Sequence, residues 1–224
     1  MSMNAIYRGP DDCPATIPLF PLSGALLLPR GQMPLNIFEP RYLAMFDDAL
    51  KSHRIIGVIQ PDEDAAGPAR LTPPLYKVGC IGRITQFAET GDGRYLMTLT
   101  GVARFAITEE LGALTPYRQA SVSYAGFLSD FEARAGEDKV DRMGLLRALK
   151  DFAAANELKI DWKGVNEAPN EALVNALSMM APFGAKEKQA LLEAADLKTR
   201  AEMLIAITEM ELARGGSDAD TTLQ

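Results

Sequence analysis

The sequence predicts an α+β chain, a small β-rich structure with one helix followed by a helical bundle, and three observations carry that reading. From residue 16 to 126, short β-branched and aromatic runs alternate with Pro and Gly, as in compact β-structures. From residue 137 onward the chain is rich in Ala, Leu, Glu and Lys, with apolar side chains at helical spacing. The composition, 47% hydrophobic and 24% charged over 224 residues, fits a folded protein long enough to bury a real core. The division that follows is an N-terminal extension over 1–15, a β-rich part over 16–130, a helical part over 131–213 and a disordered polar tail over 214–224.

Residues 17–22 (IPLFPL) read as a short strand whose prolines favour a sheet edge. Residues 35–38 read as a second. Pro40 then stands where a first-turn proline suits a helix, and Leu43, Phe46, Ala49 and Leu50 recur on one face. Residues 54–60 form a buried-type strand, and a Pro-rich loop follows over 61–74. Residues 76–89 and 94–100 flank Thr90-Gly91-Asp92-Gly93, whose glycines tolerate the positive φ of a tight hairpin. Gly101 interrupts the alternation before residues 102–108, which predicts a bulge or bend, and residues 117–124 supply a last strand. Six or seven strands with one helix predict a twisted, partly closed barrel, because closure disposes of unpaired edges.

In the second part, Val140, Met143, Leu146, Leu149, Phe152 and Ala153 mark a long amphipathic helix. Leu173, Leu177 and Met180 mark another, stopped by Pro182. Residues 185–194 and 197–213 make two more, with Asp196 as the N-cap of the last. Four helices on short loops predict a four-helix bundle.

Several segments together carry a family likeness. IPLFPL over 17–22, LPRGQMPLNIFEPRY over 28–42, VGCIGRIT over 78–85, DGRY over 92–95 and GVARF over 101–105 occur in one order. KQALLE over 188–193 follows, with Arg200 a few residues on. This series resembles the Lon protease N-terminal (substrate-binding) domain family, in its free-standing bacterial form, over roughly residues 15–212. The family usually places Gly directly after the proline matched by Pro29; in this chain Arg30 intervenes and Gly31 follows. The resemblance implies a PUA-like β pseudobarrel followed by a helical lobe, and a role in recognising unfolded or tagged proteins.

The chemistry legible in the residues is sparse. The formal charge is −7, with both parts of the chain net negative, which weighs against nucleic acid because polyanion binding draws on clustered Lys and Arg. Arg83, Arg94 and Arg104 leave an RNA-binding PUA-like adaptor as the rival reading. No phosphate-cradling G-x-x-x-x-G-K-[ST] motif occurs, and no segment is left for a Ser–Lys protease domain, so neither ATP hydrolysis nor peptide cleavage is expected. The single histidine, His53, reads as a loop residue, and Cys80, among Val78, Ile81 and Ile84, as a buried thiol. A small Cys/His hydrolase built on Cys13, Cys80 and His53 is the weaker rival. No catalytic residue, metal ligand or cofactor is assigned. Two isolated cysteines, no signal peptide and no apolar run of membrane-spanning length predict a cytoplasmic protein. What remains is binding: Phe38, Glu39, Arg41 and Tyr42 at a proline-marked chain break, with Met179, Met180 and Phe183 at another, are the candidate groove between barrel and bundle. Its expected occupants are unfolded or peptide-like protein clients, with a protease or chaperone as a candidate partner.

Overall fold

The computed structural model describes residues 5–65, 73–112 and 114–221, with side chains through Arg214. Its β-rich part contains β1 (Thr16–Pro21), β2 (Gln32–Ile37), α1 (Pro40–Lys51), β3 (Ile55–Ile59), β4 (Val78–Glu89), β5 (Tyr95–Leu111) and β6 (Gln119–Ser123). The helical part contains α2 (Arg142–Ala155), α3 (Trp162–Glu167), α4 (Asn170–Met180), α5 (Ala185–Glu193) and α6 (Leu197–Thr221). The strand order is β2-β5-β4-β3-β1-β6, and a further β5–β6 pairing joins the last strand back to the second. Five strands therefore form a ring, with β2 attached outside it along the first half of β5.

One long strand makes this possible. β5 is 17 residues long, pairing with β2 through Tyr95–Thr100 and with β6 through Ala106–Leu111. The bend expected at Gly101 is present as a register shift, with Ile81 opposite Ala103 but Gly82 opposite Gly101. A Cβ at Gly101 would lie 2.0 Å from the Leu28 carbonyl oxygen, so only glycine lets the 28–31 segment approach this closely. That segment then bonds across, Arg30 N–H to the Gly101 carbonyl at 2.8 Å and Gly101 N–H to the Gly31 carbonyl at 2.8 Å. The β4–β5 hairpin is as expected, with Gly91 and Gly93 at φ 81° and 84°.

β1 is not an edge strand. Thr16–Pro18 pair with β6 and Leu19–Pro21 pair in parallel with β3, so β1 lies inside the sheet. Its prolines are tolerated because each half of the strand has one partner, leaving a side on which a missing N–H breaks no ladder bond.

Two packed regions result. Ile17, Leu19, Ile55, Ile59, Ile81, Ala103, Phe105, Ala120, Val122 and Tyr124 fill the ring. Phe20, Ile56, Val58, Cys80, Ile84 and Leu99 belong instead to a larger core with Tyr42, Met45 and Phe46 of α1 and Leu145, Val174, Leu191 and Leu204 of the helical part. β3 is accordingly buried at every position.

The helical faces differ in detail from the expected ones. α1 buries Tyr42, Met45, Phe46 and Ala49, while Leu43 and Leu50 are half-buried. α2 starts at the Asp141 cap and buries Leu145, Ala148, Leu149 and Ala153, leaving Met143 exposed. α3, capped by Asp161, adds a fifth helix to the four expected. Asp196 caps α6, accepting from the Thr199 N–H at 2.7 Å. That helix continues in its backbone through Thr221, across most of the segment expected as a disordered tail; residues 222–224 lie outside the described residues. No helix among the described residues is long and apolar enough to cross a membrane.

Candidate functional site

Alternation along β5 turns Ala103 and Phe105 into the ring and Arg104 outward, where the helical part covers it to 2% exposure. The covering groups answer its charge. Arg104 Nε and Nη2 donate to Asp130 Oδ2 and Oδ1 at 2.9 Å each, and the Arg104 backbone N–H donates to Oδ2 at 2.9 Å. Nη1 donates to the Leu192 and Ala194 carbonyls at the end of α5, at 3.0 and 2.5 Å. The Phe127 ring lies 4.7 Å from the guanidinium carbon. The two-pronged Arg104–Asp130 pair is the stronger class of charged hydrogen bond, and it is the Nη1 bonds to the Leu192 and Ala194 carbonyls that join the barrel to α5.

Arg30, where the resembled family places Gly, adopts φ 64°, the region glycine enters at least cost. Its side chain offsets the strain with two bonds, Nη1 donating to the Asp130 carbonyl at 2.7 Å and Nε reaching the helical part at Glu171 Oε1, 3.0 Å away. Arg200 completes the junction. Its Nε donates to the Leu191 carbonyl at 2.9 Å and Nη1 to Asn175 Oδ1 at 3.1 Å, while Asn175 Nδ2 donates to the Pro29 carbonyl at 3.2 Å. Burial first, and then the charge of Arg104, pull the Arg200 guanidinium down to about 10.

The groove residues named from sequence divide by exposure. Tyr42 and Phe183 are each 8% exposed and belong to the large core, Tyr42 edge-on to Phe20 at 4.5 Å. Met179 is half-buried, its sulfur packed on Gly31. Glu39 and Arg41 pair with each other at 2.7 Å, and the Arg41 guanidinium lies 4.6 Å from the Tyr42 ring centroid. Phe38 and Met180 are open to solvent, at 58% and 80%. The cavity where barrel and helices meet is lined by Pro29, Arg30, Asp130, Asn175 and Arg200 among others, and by neither predicted segment.

Phe38 has apolar company of a different kind. By strand register Pro34 and Asn36 lie opposite Thr98 and Leu96, and Leu96 lies opposite Ala88, so these residues share the outer face of the β2–β5–β4 ribbon. Phe38, one step beyond the paired residues, continues that face, with Arg94 5.9 Å from its ring centroid. Pro34, Phe38, Ala88 and Leu96 are all exposed. β2 has one strand neighbour among the described residues, so its other edge is unpaired. The alternation of residues 94–100 already put Leu96 out of phase with Met97 and Leu99, which is the signal that marks it in the sequence.

The thiols and the histidine do not converge. His53 is exposed in the turn after α1, where its carbonyl accepts from Arg83 at 3.2 Å. Cys80 is 1% exposed in the large core, whereas Cys13 packs on the ring interior. Burial raises Cys80 well above the usual thiol range, and burial with the charge of Asp12 raises Cys13 to about 12. A raised value leaves the reactive thiolate scarce at neutral pH. At pH 8 a thiol-specific reagent is therefore expected to leave Cys80 unmodified and Cys13 slow in the native protein, with both reacting fully in denaturant. Fast native labelling of either would restore the hydrolase reading. No group of three or more His, Cys, Asp or Glu among the described residues is placed to hold a metal.

With that geometry in place, the comparisons define the class. A family model described as the ATP-dependent protease La (LON) substrate-binding domain matches residues 16–209, and the chain belongs to that family. The Lon protease of Anaeromyxobacter dehalogenans is 27% identical over 206 residues, covering 88% of this chain and 23% of that protein. The Lon protease of Parabacteroides distasonis is 30% identical over 212 residues, covering 88% and 24%. The chain thus spans about a quarter of the length of the curated relatives it matches. The crystal structure of a Lon N-terminal domain protein from Xanthomonas campestris aligns with TM-score 0.61 at 22% identity, over 85% of this chain and 97% of that one. The N-terminal domain of Mycobacterium avium complex Lon protease aligns with TM-score 0.62 at 19% identity, over 87% and 98%. The last two likenesses establish the fold.

Proposed function

We propose that this chain is a non-catalytic, cytoplasmic module that binds unfolded or peptide-like polypeptides, and that its contact surface is the outer face of the β2–β5–β4 ribbon. The observation that carries this is the exposed apolar set Pro34, Phe38, Ala88 and Leu96, gathered with Asn36 on one face of neighbouring strands and set beside an unpaired strand edge. Scattered exposed apolar residues are ordinary in a folded protein, but a contiguous patch is a feature of binding surfaces. Pro34 removes one N–H from β2, which blunts its edge against pairing with a second copy. Family membership supports the choice of occupant. The ring closure through β5 and β6 supports a PUA-like pseudobarrel for the β-rich part, and the packing of α2, α4 and α5 on α6 supports a bundle for the rest. The RNA rival has less support, since Arg83 bonds Tyr7, Arg94 pairs with Asp92 and Arg104 is buried.

The test is binding of fluorescently labelled casein, a persistently unfolded protein, by anisotropy. Phe38→Ser with Leu96→Ser is expected to weaken binding about tenfold, as loss of apolar hot-spot contacts does, while leaving the melting temperature nearly unchanged. Tyr42→Ala is expected to do the reverse, lowering the melting temperature with little change in affinity at low temperature. Unaltered affinity in the double variant overturns the surface assignment.

A further inference from the structure

The cavity between barrel and helices, about 150 Å³, is lined by five cationic side chains, Arg30, Arg104, Lys139, Lys198 and Arg200. Three carboxylates also line it, and each is committed: Asp130 to Arg104, Glu171 to Arg30, and Asp196 to the first turn of α6. Arg200 is the exception to this matching. It is 4% exposed, its Nε and Nη1 donate to a carbonyl and an amide oxygen, and its Nη2 is buried without a hydrogen-bond partner. Buried charges are ordinarily paired, and an unmade bond on a charged donor is costly. The opening turn of α6, whose N-terminus Asp196 already caps, holds Leu197 and Lys198 at the cavity wall.

We propose that this cavity is a binding site for a small tetrahedral oxyanion of the phosphate or sulfate class. The space exceeds the roughly 30 Å³ share of a single water several-fold. Cations reach it from four separate segments, the turn before β2, β5, the stretch before α2 and the first turns of α6, an arrangement suited to oxygens pointing in several directions. A bound anion supplies the counter-charge that Arg200 lacks and links the 28–31 turn to α6, tightening the barrel against the helices. The site is separate from the ribbon surface, so its test does not depend on client binding.

The experiment is calorimetric titration of the whole chain with inorganic phosphate in chloride buffer, with thermal melts in parallel. Phosphate and sulfate are expected to bind saturably and raise the melting temperature, and chloride at matched ionic strength is not. Lys139→Ala with Lys198→Ala, both on exposed positions, is expected to keep the fold and weaken phosphate about tenfold through loss of two nearby charges. Arg200→Met is expected to abolish binding; should it fail to fold, the lysine pair decides alone. Equal stabilisation by chloride, or phosphate affinity unchanged in the lysine variant, overturns the site. Acetate binding as tightly as phosphate overturns the tetrahedral class.

Discussion

Asp130→Ala is expected to destabilise the protein by about 3–5 kcal/mol, the cost of leaving a buried charge without its partner. Arg104 would keep its two bonds to the carbonyls at the end of α5, but Nε, Nη2 and its own backbone N–H would all lose their acceptor. Equilibrium urea unfolding measures the loss. A double variant, Arg104→Met with Asp130→Leu, is expected to recover part of it, because an apolar pair carries no desolvation cost. Recovery should stay incomplete, since removing Arg104 also orphans the Leu192 and Ala194 carbonyls. A urea midpoint for Asp130→Ala equal to that of the parent protein would show that Asp130 is not needed to hold the Arg104 charge where it meets α5.

Much of the β-rich part is legible in the sequence because its signals are local. Gly91 and Gly93 specify their turn by φ alone, and Gly101 marks the bend of β5 by breaking an alternation. The position of β1 is not local. Its first half pairs with a strand about 100 residues downstream and its second half with β3, and nothing within IPLFPL encodes that exchange of partners. The same limit applies to the helices. Periodicity finds α1 and α2, but how wide a stripe is buried depends on the neighbour, so Tyr42 and Met45 join Phe46 and Ala49 in the core while Leu43 and Leu50 pack at its margin. α3 is six residues long, too short to show a period, although Asp161 three residues before Gly164 is a legible cap.

The junction shows where local reading ends. Alternation in GVARF sends Arg104 to the face opposite Phe105, and that much is in the sequence. Its acceptors lie 26 and 90 residues away, so a strand-face arginine reads as solvated until the helices are placed over it. The residues named for the candidate groove divide by burial for a related reason. Phe38 and Met180, at the proline-marked breaks, are exposed, but the aromatics beside them, Tyr42 and Phe183, are the ones that fasten each segment to the core.

Phe105→Ala is expected to cost about 3–5 kcal/mol, because the ring is fully buried and its removal opens a cavity that the strands around it cannot close. The space for Phe105 is made by two glycines. A Cβ at Gly79 would lie 2.5 Å from the ring and 2.6 Å from the Val58 carbonyl oxygen, whereas one at Gly57 would lie 3.1 Å from the ring and 2.7 Å from the end of the Ile17 side chain. Shrinking the ring therefore relieves both sites unequally. In Phe105→Leu, adding Gly57→Ala is expected to recover stability, since what remains in its way is the mobile tip of Ile17. Adding Gly79→Ala is not, since a backbone carbonyl in a paired strand cannot step aside. Double-mutant cycles by urea unfolding separate the two causes: the Val58 clash is the same with either residue at 105 and cancels, so a favourable coupling to 105 is expected at both glycines and the larger one at 79, where a Cβ lies nearer the ring. No coupling at either position would mean that strand geometry rather than Phe105 dictates the glycine there.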